Sequence, residues 1–221
     1  MRIVGRLGMF GLVLWCGCLA ALAQSSPVNA TVSFTLDFPQ SDPSHYSIRV
    51  GDDGISAYES EARVGAQSDE KDSFHLEFVA SPNTRTKIFD LARKSNYFQG
   101  QLEANKKNIA MSGAKTLTYK DAQRNISANY NYSLIPAVQE LTALFQSISM
   151  TCEFGRRLQY DHHYQKLALD EELKRMEEMS KDGSLAEVQA VGPILTKIAN
   201  DSSVMNVIRA RAQRLLAAGS N

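Results

Sequence analysis

The chain has 221 residues with 24 basic and 24 acidic side chains, so its formal net charge is zero. That balance excludes the strongly basic surfaces that hold nucleic acid or anionic membranes through charge. Three cysteines are too few for a disulfide-built scaffold, so the fold has to rest on a buried apolar core.

Residues 1–23 read as a cleavable secretory signal. Arg2 and Arg6 form a basic start, Met9 to Leu19 an apolar run, and Ala21-Leu22-Ala23 the small-residue pattern before a cleavage point, with Gln24 opening the mature chain. The apolar run is short of the ~20 residues that cross a bilayer, and polar Gln24-Ser25-Ser26-Pro27 follows it, so no transmembrane segment is expected after cleavage. Cys16 and Cys18 leave with the signal, and Cys152 alone cannot close an internal disulfide. Without Arg2 and Arg6, 22 basic residues face 24 acidic ones.

From residue 24 to 133 the pattern is that of an α+β domain with an antiparallel sheet. Phe34, Leu36 and Phe38 alternate with polar residues, then Tyr46, Ile48 and Val50 do the same. Gly51-Asp52-Asp53-Gly54 supplies a turn into the returning strand from Ile55 to Glu61, which makes a hairpin. That turn lacks the further oxygen ligands of a calcium loop. Phe74, Leu76 and Phe78 make another strand, and Ser81-Pro82 caps and opens a helix running to Lys94, with Ile88, Leu91 and Ala92 on its apolar face. Residues 96–113 carry no assignable period. A second hairpin joins Thr116 to Lys120 with Asn125 to Tyr132; its tyrosines Tyr119, Tyr130 and Tyr132 suit either a binding surface or, more simply, a strand face packed under helices.

After Ser133 the spacing becomes helical, and residues 134–221 form a helical region. Val138, Leu141, Phe145, Ile148 and Cys152 share one face, and an apolar stripe continues through Phe154 and Leu158 to Lys181 with phase shifts near Gly155 and Leu167. One long helix or two abutting helices satisfies it. Asp170/Lys174, Glu171/Arg175 and Glu177/Lys181 are spaced as solvated i,i+4 pairs. Asp161-His162-His163 is the one polar patch with chemical potential, although neighbouring helical side chains diverge by about 100° and cannot converge on one metal ion. Gly183 ends the helix, Ser184 with Glu187 reads as a capping box, and Leu185 to Ile198 forms a stripe that Pro193 interrupts. A last helix carries Val204, Val207, Ile208, Leu215 and Leu216, and the helical hairpin so made offers Arg209, Arg211 and Arg214 on its polar side as an adaptor surface.

Tyr46-Ser47-Ile48-Arg49-Val50, the Asp53-Gly54 turn, Tyr58, a helix ending near Phe98, Lys115-Thr116-Leu117-Thr118-Tyr119, Asn131-Tyr132-Ser133 and the closing helix after Pro136 together resemble small exported bacterial domains of unknown function. The resemblance covers less than half the chain and implies β-hairpins, a helix and a closing helix, with no active site to transfer. No cofactor or metal signature is present. The reading that follows is a periplasmic or extracellular, non-catalytic protein that binds a protein of the cell envelope. Its alternatives are a carrier or sensor of a small apolar ligand, and an enzyme whose site is assembled from His45, His75, His162 and His163.

Overall fold

Two-residue alternation in the first half of the chain produces six strands, β1 (Thr31–Asp37), β2 (His45–Gly51), β3 (Ile55–Arg63), β4 (Lys71–Val79), β5 (Ala114–Lys120) and β6 (Asn125–Tyr130). They form one antiparallel sheet in the order β4-β3-β2-β1-β5-β6. The computed structural model describes residues 29–63 and 71–219. The expected signal peptide, with Ala21, Ala23 and Gln24, lies outside them.

Because side chains alternate, each row of paired residues belongs wholly to one face. Ala128, Leu117, Phe34, Ile48, Tyr58 and Leu76 make such a row, and Tyr130, Lys115, Leu36, Tyr46, Ser60 and Phe74 make the next one on the same face. The intervening row on the opposite face, Asn129, Thr116, Thr35, Ser47, Glu59 and His75, is polar throughout. Among the described residues, helices cover the apolar face. Helix α1 (Pro82–Lys94) packs there with Ile88, Leu91 and Ala92 buried, and α2 (Pro136–Tyr164) lays Val138, Leu141, Phe145, Ile148 and Cys152 beside it. Phe145 stacks on Phe34 with ring centroids 5.4 Å apart, which fixes the helix over the middle of the sheet. In the unassigned stretch, a 3-10 turn at Asn96–Phe98 buries Phe98 at the end of α1.

Both expectations for the long helical stripe are resolved in the backbone. Helix α2 runs unbroken through Gly155, and the break falls at residues 165–168 before α3 (Leu169–Lys181). Gly155 serves close packing: a Cβ there would stand 2.5 Å from Val191 Cγ1. Beyond it α2 enters a second cluster, in which Phe154 and Leu158 meet Leu169, Leu173 and Met176 of α3, Leu195 and Ile198 of α4 (Gly192–Asn200), and Ile208 and Leu215 of α5 (Asn206–Gly219). The architecture is α+β, and the described residues form a six-stranded antiparallel sheet with five α-helices, the last two forming a C-terminal pair.

Several local expectations are corrected. Pro193 occupies the first turn of α4 and starts that helix, since its missing N–H costs nothing there. Ser184 and Glu187 form no capping box: Glu187 has a left-handed backbone (φ 59°) and reaches α1 instead. Its carboxylate accepts the Ser81 backbone N–H at 2.8 Å and the Ser81 hydroxyl at 2.7 Å, while Ser81 Oγ accepts the Thr84 N–H. The N-cap of α1 is thus completed from 106 residues away. Glu177 pairs with Lys181 at 3.4 Å, as its i,i+4 spacing predicts, but it is buried, not solvated. It accepts from Arg214 Nε at 2.7 Å and Arg211 Nη1 at 3.2 Å, and Arg211 Nε also donates to Asp170 at 3.0 Å. Arg211 and Arg214 thus hold α5 to α3. Tyr164, the last residue of α2, and Leu167, in the turn that follows, leave the apolar stripe and are exposed.

Candidate functional site

Lys115 breaks the pattern of the sheet. It lies two residues before Leu117 and four before Tyr119, so it points to the helix-covered face, where it is 4% exposed. Its ammonium donates to Ser112 Oγ at 2.9 Å, Asn131 O at 2.9 Å, Ser112 O at 3.3 Å and Gly113 O at 3.3 Å. The loop that supplies these oxygens is held by two devices. Gly113 takes a positive φ of 99°, and a side chain there would meet Leu36 Cδ1 at 2.8 Å. Asn131 accepts the Ser112 N–H at 2.9 Å through Oδ1, donates from Nδ2 to Ala110 O at 3.1 Å, and gives its own backbone N–H to Glu103 Oε2 at 2.5 Å.

Above the ammonium opens a cleft of about 320 Å³ between the end of β6 and α2. Its walls carry Tyr130, whose hydroxyl meets Thr142 Oγ1 at 2.5 Å, Gln139, which donates to Ser133 O at 2.7 Å and to the Tyr132 hydroxyl at 3.1 Å, and the exposed amide of Gln146. Burial pushes the Tyr130 hydroxyl up to about 12, so it stays a protonated hydrogen-bonding group. Burial also lowers the Lys115 pKa, an effect partly offset by the negative charge of Glu103. The described lining residues include no carboxylate, imidazole or thiol. Hydroxyls and amides over a buried cation are equipped to hold a ligand.

Of the three hairpin tyrosines, Tyr119 and Tyr130 are buried packing residues, and Tyr119 lies against Tyr97 at 4.6 Å between ring centroids. Tyr132 is exposed and lines the cleft. The patch at Asp161, His162 and His163 is divided. His162 Nε2 sits 3.0 Å from Asp201 Oδ2, an oxygen that also accepts from Lys166 Nζ at 2.7 Å, and this ties the end of α2 to the α4–α5 loop. His163 stands edge-on to Tyr164, and Asp161 belongs to neither contact; its pKa is raised by burial and then by the nearby Glu172 charge. His162 and His163 line a shallow pocket with Pro193 and Lys197, whereas His45 and His75 line another with Glu59 and Glu61. The four histidines therefore do not converge, and among the described residues no group of three or more His, Cys, Asp or Glu side chains is placed to hold a metal ion.

Another buried carboxylate, Glu153, lies where α2 crosses β3. Its Oε1 accepts from the Tyr58 hydroxyl at 2.8 Å and Ser60 Oγ at 2.7 Å, and its Oε2 accepts from Arg156 Nε at 2.7 Å. The neighbouring Cys152 thiol is fully buried, and burial, reinforced by the charges of Glu153 and Glu187, raises its pKa far above the usual thiol range. It is an inert core residue.

Lys115 was within reach of sequence reasoning, because extending the alternation of Leu117 and Tyr119 back by one step puts it inside. Glu153, flanked by Cys152 and Phe154, carries no such signal: its partners on the sheet, Tyr58 and Ser60, lie more than ninety residues away.

No protein-family model matches this chain, and no curated protein matches it. No described helix is long and apolar enough to cross a membrane.

Proposed function

We propose that this chain is an exported, non-catalytic protein of the cell envelope or its surroundings that works by binding another protein, and that the Lys115 cleft is the surface it uses. The observation that carries this reading is the composition of the cleft: tyrosine hydroxyls and side-chain amides arranged over a buried cation, with no carboxylate, imidazole or thiol among the described lining residues. Tyrosine and amide side chains give contact area and directional hydrogen bonds at low conformational cost. The secretory pattern of residues 1–23 supports the location. A carrier of a small apolar ligand would need space between sheet and helices, and the stacked Phe34 and Phe145 occupy the middle of that interface.

The test is site-specific photocrosslinking in cells. A photoreactive phenylalanine analogue placed at Gln146, on the cleft rim, is expected to capture one stoichiometric partner, while the same analogue at His75, on the polar face of the sheet, captures none. Equal, diffuse capture from both positions, or none from Gln146, would refute the reading.

A further inference from the structure

We infer that the cleft recognises a carboxylate of its ligand, drawn to the Lys115 ammonium; the inference rests on the binding reading of the same cleft. Lys115 occupies a position that the register of the sheet gives to apolar residues, between Tyr130 and Leu36 in its row. Its four acceptors are all neutral oxygens, three backbone carbonyls and one hydroxyl. They solvate the ammonium but do not neutralise it, and a buried, unneutralised cation is costly unless something of opposite charge completes it.

The surroundings leave that role open. From α2 the cleft is faced by Gln139, Thr142, Ala143 and Gln146, from β6 by Tyr130, and none of these is charged at neutral pH. Glu103 is the carboxylate whose field reaches Lys115, yet it forms no ion pair with it and is committed to the Asn131 backbone N–H. One unit of positive charge at the base of the cleft calls for one unit of negative charge from outside. A carboxylate matches that charge, and its two oxygens suit the Gln146 amide and the Tyr132 hydroxyl, the donors of the rim. A phosphate dianion would want the forked guanidinium or cluster of backbone N–H groups that this lining lacks.

Such a carboxylate belongs either to a chain terminus or to an acidic side chain, and three small probes distinguish the sources. The isotope-labelled mature chain is titrated at constant ionic strength with N-acetylglycine, with the α-amide of N-acetylaspartate, and with neutral N-acetylglycinamide, and the amide resonances of Asn131, Gln139 and Gln146 are followed by NMR. Saturable shifts with at least one of the two acids, at an affinity at least tenfold above that for the neutral amide, are expected, and the better acid identifies the source. K115M, similar in length but uncharged, should remove that tenfold preference. If K115M does not fold, Q146A at the exposed rim is the second variant, with a severalfold loss expected for the acids alone. Equal shifts from N-acetylglycinamide, or no saturable shift from either acid, overturn the inference. Failure of both acids while the Gln146 crosslink still captures its partner removes the carboxylate and leaves the binding surface. Saturation without any crosslink keeps the carboxylate and removes the protein partner.

Discussion

Glu153 shows what a single buried charge requires. It is 4% exposed, and its two oxygens collect three donors from the sheet and from its own helix. Burial first, then the Glu153 charge, raises the Tyr58 pKa far above the ordinary phenol range, so the phenol remains a donor at every accessible pH. Removing that hydroxyl leaves the ring in place and takes one charge-assisted bond from a carboxylate that water cannot easily reach. Tyr58→Phe is therefore expected to lower unfolding stability by about 1.5–3 kcal/mol, measured as a shift of the urea midpoint at constant slope. A change below about 0.5 kcal/mol, the size of an ordinary surface substitution, would show that Glu153 finds its third partner elsewhere. Lys115 and Glu153 share a lesson in legibility: both are charges at inward positions, and only the first stands in a strand where period two exposes the exception.

At the scale of elements, the N-caps and first turns were the most legible features. Ser81 and Pro82 open α1 where their chemistry demands, and Pro136 lies in the first turn of α2. The same logic failed at Ser184 and Glu187, because Glu187 satisfies the Ser81 N–H across the molecule and its local spacing was coincidental. Gly155 is the sharpest case of an element-level role hidden in sequence. A glycine within a 29-residue helix costs up to about 1 kcal/mol of intrinsic stability relative to alanine, yet it admits Val191. Gly155→Ala is expected to destabilise by a net ~1–2 kcal/mol, overpacking against Val191 outweighing the better helix propensity. Adding Val191→Ala should recover part of that loss. A thermal-melt double-mutant cycle measures the coupling, and additive effects would show that the contact is not close-packed.

For the whole molecule, α2 is the shared beam. Its first half completes the core on the sheet, its second half the core among α3, α4 and α5, so neither cluster closes without it. Acidic side chains then fasten the second cluster: Glu177 to Arg211 and Arg214, Asp201 to Lys166 and His162, and Glu172 to Arg157. Hydrogen bonding and charge from Arg214 and Lys181 hold the Glu177 carboxyl at about 2, against an ordinary value of 4.5. A carboxyl depressed in the folded state stabilises above its unfolded pKa and loses that contribution as pH falls through the folded one. Stability should accordingly decline from about pH 4.5 down to about pH 2, with Asp201, also held low by Lys166, deepening the loss. Urea midpoints taken across that range test it: Glu177→Gln is expected to be less stable at pH 7 and to lose less on acidification. An acid limb as steep as that of the unmodified chain would assign the effect to other carboxylates.

What the sequence determined by itself was everything governed by neighbours in the chain: the strand faces, the caps of α1, the apolar face of α2 and the mixed α+β class. These follow from period, turn residues and orphan backbone groups, all of which act within a few residues. Tertiary structure alone decided what the buried charges meet. Glu153 with Tyr58, Glu187 with Ser81, Glu177 with Arg214 and Lys115 with Asn131 are pairs separated by 16 to 106 residues, brought together by the stacking of sheet and helices. No local pattern encodes such meetings, because the cost of burying a charge is offset by whichever donor or acceptor the fold places beside it.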